Sequence, residues 1–344
     1  MCQKYVNRLE SEIYRWGEKL CRPADTVYFG GGTPSVLKPN DLSRLLNAVE
    51  TAFNVPKNCE KTVEVNPEDA TEEFLRSIKE AGFNRISLGV QTLSNDVLKI
   101  LGRRHTAEDS INAFNTARKV GFDNITVDLM LGLPKQSMDE AINTVKKIAH
   151  LSPEHISCYM LILEEKTALY SKREIIDIPD EETVRKEYLS ICDIFENNGY
   201  NHYEISNFAK KGKESKHNLK YWKTCEYIGI GPSAYSFIDG KRFHTLSDIH
   251  GFIKAPKTVY DEAGGGYEEY IMLSLRLKEG INRQEFEAFT GKTFSEKFNE
   301  KAKFFADNNL ALWDNNAFKL TNEGMLLSNS IICEMTEEEL YEDL

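Results

Sequence analysis

The sequence predicts an α/β protein: a parallel array of strand–helix units, followed by a small, mainly helical module. Three observations carry this. Short apolar runs alternate with amphipathic stretches at spacings of roughly 25 to 40 residues, the period of βα units in a parallel sheet. Most of these runs stop at a cluster of glycine, polar or charged residues. After about Gly264 the alternation gives way to helical stretches and a candidate hairpin.

The elements follow in order. The chain opens on a helical pattern over 5–19, where a βα array normally opens on a strand, so one strand is expected to be missing. The run 26–29 ends at Gly30-Gly31-Gly32-Thr33-Pro34, 61–65 at Asn66-Pro67, 85–90 at Gln91, and 125–131 at Gly132-Leu133-Pro134. The fifth, 155–160, follows Ser152-Pro153, and a weaker sixth lies near 200–205. Helical periodicity covers 41–53, 71–81, 94–101, 107–120 and 138–150. Thr71 before Glu72 and Glu73 reads as an N-cap with an acidic first turn, and Gly82 and Gly121 read as C-caps. Beyond Gly264, helices are expected over 267–277, 282–290 and 295–309, with a hairpin around Asp314-Asn315-Asn316. That order suggests a winged-helix-like module. The acidic tail, 334–344, is expected to fray.

Composition narrows the function. A net charge of −11 over 344 residues argues against non-specific nucleic-acid binding, which depends on neutralising phosphates with Lys and Arg. No apolar run is long enough to span a bilayer, and residues 1–5 lack the apolar core of a signal peptide. A cytosolic protein is expected. Seven cysteines stand at 2, 21, 59, 158, 192, 225 and 333 with no CxxC or CxxxC pair. They read as reduced thiols, mostly small buried hydrophobes.

Ligands of parallel βα folds bind at the carboxyl ends of the strands. Those ends carry the glycine run, Glu64 with Asn66, Gln91 and Asp128, with Arg103 and Arg104 one helix later. Glycines expose backbone N–H and C=O to a close ligand. Asp128 and Gln91 suit ribose hydroxyls, and Arg104 offers a fork for a carboxylate. A nucleoside with an amino-acid tail fits this set. The loop is neither a Walker motif nor GxGxxG.

These residues resemble the radical S-adenosylmethionine (SAM) superfamily, over about residues 5 to 330. Within it they are similar to the branch of oxygen-independent coproporphyrinogen III oxidases and the heme-chaperone HemW family. The resemblance implies a partial parallel (β/α)6-type radical SAM barrel lacking its first strand, over 1–205. A connecting region over 206–264 and a mainly helical C-terminal domain over 265–344 would follow. It implies SAM binding by Gly31, Gly32, Thr33, Glu64, Gln91, Arg104 and Asp128, with Ile162 and Tyr235 at further positions. The motifs Tyr203-Glu204-Ile205-Ser206-Asn207-Phe208-Ala209 and His217-Asn218-Leu219-Lys220-Tyr221-Trp222, together with Gly229-Ile230-Gly231-Pro232-Ser233-Ala234, look more like the chaperones than the oxidase. In the chaperones the HNxxYW histidine is associated with heme, which implies His217 as a heme ligand, with Tyr221 and Trp222 placed to flank a porphyrin face. The alternative is a surface histidine in a polar turn anchored by those two aromatics.

The chain departs from the superfamily at its defining motif. CxxxCxxC, whose thiolates hold a [4Fe–4S] cluster, is absent, so no metal ligand and no catalytic residue is assigned. A chain lacking a preceding segment and a true cluster-less relative both fit, and the retained SAM constellation favours the first. Two functions compete: heme trafficking, with heme as ligand and heme-acceptor proteins as partners, and SAM-dependent oxidative decarboxylation of a porphyrinogen. A plain β/α barrel with another nucleotide ligand is a third. No nucleic-acid partner and no transmembrane segment are expected, which leaves room for peripheral membrane contact.

Overall fold

The computed structural model describes residues 1–165, 167, 169–173 and 175–343. Helix α1 (Cys2–Leu20) precedes five strand–helix units. These are β1 (Thr26–Phe29) with α2 (Pro39–Ala52), and β2 (Glu60–Val65) with α3 (Glu72–Ala81). Next come β3 (Arg85–Gln91) with α4 (Asn95–Ile100) and α5 (Ala107–Val120), then β4 (Ile125–Leu131) with α6 (Met138–Leu151), and β5 (His155–Met160) with α7 (Glu181–Asn197). Strands β1 to β5 lie side by side in sequence order, all parallel. One direction of winding follows from right-handed crossovers, and the sheet curls into a half-barrel.

The helices form where caps and apolar spacing predict. Thr71 Oγ1 accepts the Phe74 N–H at 3.2 Å. Thr106 and Ser137 start α5 and α6 with reciprocal capping boxes. On α1, Val6, Leu9, Ile13 and Trp16 recur on one face and pack against Leu45 and Ala48 of α2 and against Phe53 and Phe252. Each such burial stabilises the fold by roughly 1.5–3 kcal/mol.

The sixth strand, β6 (Asn201–Glu204), does not pair with β5. A return strand, β7 (Asn207–Ala209), lies between them, antiparallel to both. Ile205 and Ser206 turn the chain, and Ala209 pairs with both His155 and Asn201. The sheet therefore extends to Ala209.

Helix α8 (Lys216–Trp222) carries the HNxxYW motif. A three-stranded antiparallel sheet that the sequence reading missed follows: β8 (Tyr235–Ile238), β9 (Lys241–Thr245) and β10 (Thr258–Ala263), with α9 (Ile249–Lys254) between the last two. The terminal module comprises α10 (Tyr267–Ser274), β11 (Ile281–Asn282), α11 (Arg283–Thr290), β12 (Lys292–Phe294), α12 (Glu296–Asp307), the hairpin β13 (Ala311–Trp313) and β14 (Ala317–Leu320), α13 (Asn322–Leu326) and α14 (Ser328–Met335). β11 joins the hairpin as a third strand.

The described part of the tail is not frayed. β15 (Tyr341–Asp343) pairs with β12, and Tyr341, 6% exposed, packs on Phe286, Phe294 and Phe298. The apolar pair Leu340 and Tyr341 outweighs the acidic residues around it; Leu344 lies outside the described residues. Backbone bonds from Ile205 to Arg276 and from Lys278 to Tyr203 fasten the module to the sheet edge, helped by the Arg185–Glu323 ion pair.

Candidate functional site

The inner faces and carboxyl ends of β1 to β5 surround a cavity of about 230 Å3. The period-two alternation of strands decides its chemistry. Outward residues such as Val63, Val65, Ile86, Leu88, Val127 and Ile156 are at most 2% exposed, within the apolar core. The inward ones are polar: Thr62 and Glu64 on β2, Arg85 and Ser87 on β3, Thr126 and Asp128 on β4, His155 and Ser157 on β5. A helix-covered parallel sheet buried on both faces is normally apolar throughout. Here one face is reserved for a polar ligand.

The glycine run leaves β1 and enters a short turn at Pro34–Val36. Gly31 has φ +85°, a conformation that L side chains resist. A side chain at Gly30 would collide with Glu64 Oε1 at 2.5 Å. Gly32 and Thr33 line the cavity. Gly31 holds its edge, donating its N–H to Glu64 Oε2 at 3.3 Å.

Glu64 Oε1 also accepts the Tyr28 hydroxyl at 2.9 Å. Burial, and then the nearby Asp128, push the Glu64 carboxyl above its ordinary range despite these bonds. Asp128 is pushed up by burial as well, and the Ser87 hydroxyl at 2.8 and 3.0 Å partly offsets this. Two carboxyls thus face one cavity, ready to accept from hydroxyl or ammonium donors. Gln91 has φ +68°, unusual for a non-glycine residue. It stands where the β3–β4 register shifts, and this irregularity turns its amide back over Gly89, 3.2 Å from where a Cβ there would be.

The arginines exchange places relative to the sequence reading. Arg103 lines the cavity, and its guanidinium has no hydrogen-bond or ion-pair partner among the described residues. Arg104 leaves the site: its Nε donates to Glu68 Oε1 at 3.1 Å and its side chain is 73% exposed. Glu68 also receives His105 at 3.2 Å. Gly102, at φ +72°, turns the chain just before the two arginines. Ile162 and Tyr235 also stand outside the cavity, 78% and 58% exposed.

Sequence reasoning missed the floor of the cavity. Arg85, 2% exposed, donates to Glu60 Oε2 at 3.0 Å and to Thr126 Oγ1 at 3.0 and 3.2 Å. Glu60 Oε1 accepts the His217 N–H at 3.0 Å, which fixes the start of α8 beneath the barrel. Thr62 Oγ1 and His155 Nδ1 are buried on residues that line the same cavity, without hydrogen-bond partners among the described residues. Such unsatisfied groups cost stability unless a ligand or water meets them. Burial holds His155 neutral, well below its ordinary pKa. Alternation of polar and apolar residues along each strand was the available signal.

His217 lies on a helix, not in a turn. Its ring stacks on Tyr28 with centroids 5.2 Å apart. Both nitrogens are taken, Nδ1 by Thr26 Oγ1 at 2.9 Å and Nε2 by Tyr221 OH at 2.8 Å. Burial lowers its pKa to about 4, so it is neutral at pH 7. Tyr221 meets His217 edge-on at 89°, and Trp222 opens instead onto a cleft with Tyr270 and Phe289.

The SAM residues fit as a set, with Arg103 in place of Arg104: a backbone cradle, two carboxyls, an amide and an unpaired guanidinium. A [4Fe–4S] cluster does not fit the residues present. Cys59, Cys158 and Cys192 are buried, the other four cysteines are exposed, and no described group of three or more Cys, His, Asp or Glu could hold a metal ion. No described helix is long and apolar enough to cross a membrane.

Comparison with known proteins agrees with this geometry. Residues 2–148 match the radical SAM superfamily model, and residues 266–327 match the HemN C-terminal domain. The chain is 37% identical to the heme chaperone HemW of Lactococcus lactis, over 95% of this chain and 88% of that protein. It is 34% identical to HemW of Bacillus subtilis, over 95% and 90%. The solved structure of coproporphyrinogen III oxidase (HemN) from Escherichia coli superposes with a TM-score of 0.80 at 22% identity, over 98% of this chain and 84% of that one, a likeness of fold. The chain belongs to the radical SAM superfamily, on the branch of the HemW proteins.

Proposed function

We propose that this protein is a heme chaperone of the HemW type, carrying heme as cargo on a barrel that binds SAM. The carrying observation is identity of 34–37% with two curated heme chaperones over 95% of the chain. Two sequence motifs, YEISNFA and HNxxYW, point the same way. Heme-acceptor proteins are the partners this reading requires. The seven unbridged thiols suit a cytosolic setting.

Glu64 and the glycine loop would take the methionyl end of SAM, Arg103 its carboxylate, and Asp128 with Gln91 the ribose hydroxyls. With a reduced cluster, SAM supplies a 5′-deoxyadenosyl radical. The thiolates for that cluster do not stand in this chain, so its residues bind and orient only. We expect no cluster assembly and no SAM cleavage by this polypeptide alone. Anaerobic iron–sulfur reconstitution followed by a 5′-deoxyadenosine assay checks this; a stoichiometric cluster with cleavage would sink it.

Hemin titration of the full chain, followed at the Soret band, tests the chaperone reading. Saturable binding near one per chain supports it, and its absence removes it. The oxidase alternative has the fold likeness alone on its side; decarboxylation of coproporphyrinogen by the chain would favour it.

A further inference from the structure

We infer that the cleft between the end of α8 and the terminal module is a docking site for an arginine side chain of a partner protein. The chaperone reading requires a heme acceptor but gives it no surface on which to meet this chain. The inference goes beyond that reading and stands on the cleft alone.

The cleft encloses about 420 Å3, against about 230 Å3 for the cavity at the strand ends. Trp222 lines it from the end of α8, Tyr270 from α10 and Phe289 from α11. The Tyr270 and Phe289 rings lie 5.0 Å apart, tilted by 34°. Tyr270 also packs on the buried ring of Phe286, 5.8 Å away, so the core of the module fixes the pair. Phe289 nevertheless keeps 45% of its surface exposed. Among the described residues Trp222 pairs with no other ring, and its indole N–H has no hydrogen-bond partner. Aromatic faces held in place and left uncovered attract a cation through the ring quadrupole.

The charges select the same ligand. Two carboxylates line the cleft, on Glu279 and Glu285. Glu279 is answered by Lys223, whose Nζ lies 2.9 Å from its Oε1. The Glu285 carboxylate has no hydrogen-bond or ion-pair partner among the described residues. Burial, and then Glu285, raise the pKa of the Tyr270 phenol, so this carboxylate acts on the rings themselves. The cleft therefore keeps one uncompensated negative charge beside its aromatic faces. A guanidinium meets both features, because it is planar, stacks on aromatic rings and presents a fork to a carboxylate. The propionates of a porphyrin would meet the same charge and be repelled.

A purely structural role for these side chains, fastening α8 to the terminal module, forecasts no ligand. The test titrates the full chain with an acetylated and amidated glycyl-arginyl-glycine peptide and with its citrulline counterpart, which has the same shape and no charge. Tryptophan fluorescence reads the titration, and W222F identifies the part of the signal that comes from the cleft. We expect saturable binding of the arginine peptide, with the citrulline peptide about fivefold or more weaker. E285Q should weaken the arginine peptide about threefold or more, and added salt should act in the same direction. Glu285 is exposed, so this substitution leaves the fold intact. No saturable Trp222 signal, equal affinity for the two peptides, or unchanged affinity in E285Q overturns the inference. Displacement of the arginine peptide by hemin overturns it too, in favour of a porphyrin in the cleft. The peptide titrations contain no heme, so their failure leaves the chaperone reading standing, and a failed hemin titration removes that reading without touching this site.

Discussion

Replacing Glu204 with glutamine should flatten the pH dependence of stability. Glu204 is fully buried. Its Oε2 accepts a long bond, 3.4 Å, from the Ser206 N–H, the Asn207 side chain offers a further weak contact, and its Oε1 has no hydrogen-bond partner among the described residues. Burial pushes the carboxyl from 4.5 up to about 7. Below pH 4.5 it is protonated in both the folded and the unfolded chain. Between 4.5 and 7 the unfolded chain ionises while the folded one stays neutral. The folded state then binds more protons, so stability falls as pH rises through that window and levels off above it. A rise from 4.5 to about 7, worth about 1.36 kcal/mol per pH unit, gives a fall of about 3 kcal/mol. Glutamine has no such titration, although its buried amide loses about 1–3 kcal/mol at every pH for want of partners. The informative quantity is therefore the slope. Urea unfolding of both proteins from pH 4.5 to 8.5 should show the variant gaining about 3 kcal/mol on the wild type, nearly all of it below pH 7.5. Parallel curves, offset by a constant, would refute the assignment. Glu187, raised by burial to about 7 as well, should leave a residual fall in the variant.

Three further outcomes follow from the geometry. Arg103→Ala should weaken SAM binding about tenfold or more, the loss of one charge-assisted hydrogen bond, while Arg104→Ala changes it less than about twofold. Isothermal calorimetry decides, and equal losses would contradict the placement of the two side chains. Gly31→Ala should destabilise the loop by about 1–2 kcal/mol, because φ +85° is costly for any side chain; an unchanged melting temperature argues against that backbone. Tyr341→Ala should cost about 3 kcal/mol in a denaturant melt, whereas a frayed tail predicts no change.

The half-barrel was legible because apolar runs punctuated by polar clusters are what βα units look like in sequence. Its polar inner face was equally written there: Thr62 and Glu64, Arg85 and Ser87, Thr126 and Asp128 alternate with Val, Ile and Leu. Attention to the strand ends alone missed Arg85 and His155. The β8–β9 hairpin carried its own sign, Asp239-Gly240 between two apolar-alternating runs, and both residues adopt positive φ, 51° and 69°, as a two-residue hairpin turn requires. Other features had no local signal. Strand β7 has three residues, too few for a period to show. Nothing in the spacing of two adjacent arginines says which one faces a ligand; Glu68, which holds Arg104 outside the cavity, lies far away in sequence. The tail misled because charge dominates its composition while two apolar residues decide its place.

One chain of contacts links the glycine loop to α8. Gly31 bonds Glu64, Glu64 bonds Tyr28, Tyr28 carries the His217 ring, and His217 bonds Tyr221. A molecule that draws His217 away uncovers Tyr28 and loosens the carboxylate that holds the glycine loop. A ligand that engaged α8 and a nucleoside in the cavity would then act as effectors of each other. Thermodynamic reciprocity sets one factor for both directions: whatever a nucleoside in the cavity does to the affinity of a ligand at α8 through this relay, that ligand would do to the affinity of the nucleoside. A delivery protein wired in this way would release its load in response to the state of its nucleoside site.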